Sequence, residues 1–183
     1  MGSPTNEVGR TSDEEQHTII LSKPFYIGVF EVTQRQWELV MGSRPSLYSN
    51  ATYYKTRPVE QVSYTQIRGS SLGAGWPSSD DVDATSFLGL IRSKTGLMGL
   101  DLPTEAQWEY ACRAGTTTAL NSGKNLTKTD SDSNMNEVGR YKYNWPSGKT
   151  QTYYQSSCST NDGTAAVGSY EPNNWGLYDM HGN

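Results

Sequence analysis

Two cysteines, Cys112 and Cys158, and two histidines, His17 and His181, are the side chains of this sequence best suited to nucleophilic, redox or soft-metal chemistry. Their number and spacing restrict them. Two cysteines form at most one bridge, so neither a disulfide scaffold nor an all-cysteine zinc site can be built. The histidines lie far apart and match no metalloprotease spacing. Glu105 and Glu109 stand one helical turn apart, as paired carboxylates would, although a favourable charge in a helix's first turn also explains Glu105. Gly73-Ala74-Gly75 lacks the lysine and hydroxyl of a phosphate loop and reads as a flexible loop. Residues 116–165 are rich in Asn, Asp, Ser and Thr oxygens, and calcium takes about six to eight such ligands. A solvated irregular segment anchored by Tyr141, Tyr143, Trp145, Tyr153 and Tyr154 accounts for the same composition. Asn50-Ala51-Thr52 and Asn125-Leu126-Thr127 match the glycosylation sequon, which carries meaning only in a secretory context.

The elements that must position these groups belong to a chain of 183 residues, a length that suits one domain spanning 1–183. Leu, Ile, Val and Phe make up about 16% of it, a level at which disorder becomes a concern. A disordered chain, however, also lacks aromatics and carries high net charge. Here 5 Trp, 12 Tyr and 3 Phe accompany a formal net charge of −4. Each buried ring removes roughly 150–250 Å² from water, so rings replace the missing aliphatics in a folded, loop-rich protein. With pI about 5.2 and scattered basic residues, the chain has no electrostatic footprint for nucleic acid. Clean apolar runs such as Ile19-Ile20-Leu21 are far too short for a membrane span or a signal-peptide core. Cysteine usage leaves the compartment open.

Local patterns set the elements. Strands are expected near 18–21 and 25–32, where β-branched and aromatic residues flank Ser22-Lys23-Pro24. A helix is expected at 34–41, because Thr33-Gln34-Arg35-Gln36 forms a capping box, Trp37, Val40 and Met41 share a face, and Gly42 follows. Ser63-Tyr64-Thr65-Gln66 is a second, weaker box before Ile67. Further helices are expected at 84–95, with Phe87, Leu88 and Ile91 inward, and at 105–114, where Thr104-Glu105-Ala106-Gln107 precedes Trp108, Ala111 and Cys112. Trp37, Trp108 and Cys112 are expected to be buried, and 116–170 mostly irregular.

At several of these places the chain resembles the formylglycine-generating enzyme, or sulfatase-modifying factor, family. Phe25-Tyr26-Ile27-Gly28 with Glu31-Val32-Thr33-Gln34 is similar to the family's strand-into-helix segment. Leu102-Pro103-Thr104-Glu105-Ala106-Gln107-Trp108-Glu109-Tyr110-Ala111 is similar to its most distinctive stretch, and Arg57-Pro58-Val59 with Val62-Ser63 to the segment between. Gly163-Thr164 through Val167-Gly168, then Asn174-Trp175-Gly176-Leu177-Tyr178-Asp179-Met180-His181-Gly182-Asn183, resembles the run before the family's Trp-Glu-Trp strand.

The resemblance implies an α+β, C-type-lectin-like fold with little regular secondary structure, incomplete at the C-terminus. It implies a fragment of a protein whose active members oxidise a sulfatase cysteine to formylglycine with Cu(I) and oxygen, the sulfatase peptide being the partner. The alternative is a non-catalytic lectin-like module binding another protein or a glycan. The family's Cu(I)-binding cysteine pair would lie past Asn183, so no catalytic residue carries over. Cys112 corresponds to a frequent structural cysteine, and Cys158 matches no catalytic position. For metals, the resemblance places calcium at Asn134 with the Met135 carbonyl, where a further family aspartate falls near Ser159 and Asp162. A second calcium site is implied at Asp179 with the Gly182 carbonyl. The chain is accordingly expected to be inactive and marginally stable, and to bind calcium weakly.

Overall fold

The computed structural model describes residues 1–49, 51–144 and 163–183. Trp145, Tyr153, Tyr154, Cys158, Ser159 and Asp162 therefore lie outside the described residues. The chain forms two compact units, Val32–Thr104 and Met1–Glu31 with Glu105–Asn183.

In the unit Val32–Thr104, local hydrogen bonds set the helix starts. Helix α1, Gln34–Met41, opens on the expected capping box, with the Thr33 hydroxyl accepting from Gln36 N and the Gln36 side chain accepting from Thr33 N. Gly42, at φ 71°, closes it by donating to Glu38 O, a left-handed conformation that glycine enters at little cost. Helix α2, Tyr64–Arg68, opens on the Ser63–Gln66 box in the same way. Helix α3, Phe87–Thr95, starts later than the expected residue 84. Ser86 takes extended dihedrals and its hydroxyl accepts from Gly89 N, so it caps the helix and leaves 84 and 85 outside. The indole of Trp37 on α1 stacks on the Phe87 ring of α3, centroids 4.8 Å apart, and Leu88, Val59, Val62 and Ile67 pack around them.

Two polar devices complete this unit. Asp83 accepts backbone N–H groups from Ser70, Ser71, Leu72 and Gly73, which folds the expected flexible loop into a 3₁₀ turn at Leu72–Gly75. A Cβ on Gly73 would stand 2.0 Å from Arg68 O, so only glycine fits that turn. Asp101 accepts from Arg68 Nε at 2.8 Å, from Arg68 Nη2 at 2.9 Å and from Arg92 Nη2 at 2.8 Å. With the Arg68 side chain fully buried, these charge-assisted bonds replace its lost hydration.

In the other unit, helix α4 spans Glu105–Arg113 against the expected 105–114. It buries Ala111 and Cys112 against Leu177, Met180 and Ile27. Trp108 is 44% exposed, which overturns its assignment to the core. It shares the helical stripe of Ala111 and Cys112 but sits one turn earlier, at the rim of an open cavity rather than under other chain. Helix α5, Met135–Val138, is held by Asp132, whose carboxylate accepts from Asn134 N, Met135 N, Thr127 N and Thr127 Oγ1.

Neither expected strand forms among the described residues. Only isolated bridges, Ser3 with Glu15 and Thr33 with Pro58, are present. Burial alternates only from Phe25 to Gly28, with Phe25 and Ile27 half-buried and Tyr26 fully exposed; before it, Leu21 is half-buried between exposed residues 18–20 and 22–24. What is missing is a partner. No hydrogen bond engages the backbone of Thr18–Gly28 among the described residues, and further on Val29 O accepts from Tyr178 N and Val32 O from Val59 N. A strand is defined by its ladder, so a β-patterned segment without a neighbour is not one.

Candidate functional site

Three features of the unit Met1–Glu31 with Glu105–Asn183 carry chemistry. The first is a cavity of about 250 Å³ beside α4, lined by Trp108, Glu109, Cys112, Arg113, Asn121 and His181 among others. Cys112 donates to Met180 O at 3.6 Å, and its sulfur lies 3.7 Å from His181 Nε2. That nitrogen also accepts the backbone N–H of Asn121 at 2.9 Å, so the ring carries its proton on Nδ1. Burial pushes the thiol up to about 11 and, with the nearby Arg113 charge, the imidazole down to about 4. Both groups are neutral at pH 7. A thiol without its thiolate is a poor nucleophile and a poor metal ligand. The Asn121 side chain is 3% exposed, and neither of its amide atoms has a hydrogen-bond partner.

The second feature is a groove of about 530 Å³ lined by Ile19, Leu21, Phe25, Ile27, Tyr110 and Trp175, with Lys23 at its edge. Tyr110 makes edge-on contacts with Phe25, centroids 6.4 Å apart, and with Trp175, centroids 5.0 Å apart. Tyr110 and Trp175 remain 54% and 48% exposed beside the half-buried Phe25 and Ile27.

The third gathers two of the four residues implied for calcium. Asp179, at φ 57°, accepts from Gly168 N at 2.6 Å through Oδ2, while its Oδ1 is buried without a partner. The Glu31 carboxyl stands beside it and is pushed up to about 7, first by burial and then by the Asp179 charge. Asn183 joins them, its Nδ2 donating to Glu31 Oε2 at 3.1 Å. Gly182 O accepts from Arg140 N at 3.0 Å. Asn134 and Met135 lie elsewhere, at the start of α5, where the Asn134 amide donates to Asn125 O and both backbone N–H groups bind Asp132. Asp132, the carboxylate of that neighbourhood, is held well below the usual range, chiefly by the Thr127 hydroxyl. Among the described residues, no three His, Cys, Asp or Glu side chains converge as a metal-binding cluster.

Sequence reasoning missed Glu31 and the groove. Glu31 pairs with Asp179 only through tertiary contact, and the groove's rings are drawn from three distant segments. The run of β-branched and aromatic residues at 18–28 was the available signal for the groove.

With this geometry in place, the comparisons define the class. The chain belongs to the sulfatase-modifying factor enzyme 1-like family, whose domain model matches residues 1–183 and carries the C-type-lectin-like fold. Among curated proteins it is similar to the chaperone protein LppX of Paenibacillus barcinonensis, at 30% identity over 185 residues and 87% of this chain. The chain spans 59% of the length of that relative. No solved structure gives a significant match.

Proposed function

We propose that this chain is a polypeptide-binding module of its family. The observation that carries the proposal is the groove of Ile19, Leu21, Phe25, Ile27, Tyr110 and Trp175, which leaves rings uncovered beside a segment with free backbone groups. Aromatic side chains contribute disproportionately to protein interfaces, and apolar surface of this kind is where unfolded chains adhere. The LppX relative is named as a chaperone, which agrees with that use. Adding the chain to insulin whose disulfides are being reduced should delay the light scattering of the aggregating B chain. The variant Trp175→Ala with Tyr110→Ala should delay it much less. Equal protection by both would reject the groove as the binding surface.

Family membership favours a second reading, in which the whole protein oxidises a sulfatase cysteine to formylglycine with Cu(I) and oxygen. Among the described residues Cys112 is the one cysteine, and its thiol is held neutral, so these residues offer no thiol pair for copper and no step is assigned to them. A Cys-containing sulfatase peptide incubated with the chain and copper should yield no formylglycine; turnover would show that a cysteine of this chain is catalytic.

For calcium, the site that fits better is Asp179. Its orphaned Oδ1 and the adjacent Glu31 carboxylate repel each other in a buried setting, and a divalent cation held there with the Gly182 carbonyl would neutralise both. Asn134 and Met135 lack a free carboxylate beside them and would hold the ion more weakly.

A further inference from the structure

We draw no further inference here: the strongest candidate, the cavity beside α4 lined by Glu109, Cys112, Asn121 and His181, carries nothing, because the unpartnered Asn121 amide atoms are shielded from it and a buried neutral thiol beside a glutamate already paired with Arg113 names no ligand.

Discussion

The sulfur of Cys112 lies 3.7 Å from Nε2 of His181, and that nitrogen is already the acceptor of the Asn121 backbone N–H. The contact looks like a nucleophile with its base but lacks the electrostatics of one. The imidazole that would accept the thiol proton has its lone pair engaged. Burial also disfavours the thiolate–imidazolium pair that such chemistry needs.

Cys112 should therefore resist alkylation. With the thiol near 11 rather than about 9, its thiolate fraction at pH 8 falls about 100-fold below that of an ordinary cysteine. The check is the iodoacetamide labelling rate in the Cys158→Ser background, before and after unfolding in urea. A native rate within a few-fold of the unfolded rate would contradict the assigned burial.

The two tryptophans at the helices' buried stripes should behave differently. Trp37 is 2% exposed and stacked on Phe87, so Trp37→Ala should cost about 3–5 kcal/mol. Trp108, 44% exposed at a cavity rim, should cost about 1 kcal/mol or less when replaced by Ala. Urea unfolding of both variants reads the difference directly.

Acidification sets two buried groups against each other. His181 titrates near 4 when folded and near 6.5 when unfolded, so its contribution is intact above 6.5 and is lost as pH falls from 6.5 towards 4. Glu31 titrates near 7 when folded and near 4.5 when unfolded, so its contribution is present below 4.5 and is lost as pH rises through 7. Between pH 7 and pH 5 each changes stability by about 2 kcal/mol, with opposite sign. The wild-type melting temperature should vary little on their account. His181→Gln should become more stable on acidification and Glu31→Gln less stable, as followed by thermal melts at pH 7 and pH 5.

Calcium should act through the same carboxylate. Millimolar calcium at pH 7.5 should raise the melting temperature slightly relative to chelator, and Glu31→Gln should abolish the rise. A rise unaffected by Glu31→Gln but lost in Asn134→Ala would move the ion to the start of α5.

How much of this was legible in the sequence follows from the range of each interaction. The starts of α1 and α2 were readable because Thr33 with Gln36 and Ser63 with Gln66 close their hydrogen bonds within one turn. The start of α3 was misplaced because Asp83 and Ser86 both suit a helix start, and Asp83 instead collects the backbone N–H groups of Ser70–Gly73. The strand pattern at 18–28 was legible as pattern only, since a ladder depends on a neighbour that local sequence does not supply. Trp108 was misjudged for a related reason: helical periodicity gives a face, but not what covers each turn of it. Of the candidate site, motif resemblance singled out Asp179 as an implied calcium ligand. Its companion Glu31 is brought beside it only by the fold.

The central claim is that the aromatic groove binds unfolded polypeptide, and affinity measures it most directly. Fluorescence anisotropy of labelled, reduced and carboxymethylated lactalbumin, titrated with the wild-type chain, should give a saturable curve. The variant Trp175→Ala with Tyr110→Ala should bind about tenfold or more weakly while retaining the wild-type circular dichroism spectrum. Matching affinities for the two chains, or no binding by the wild type, would contradict the account.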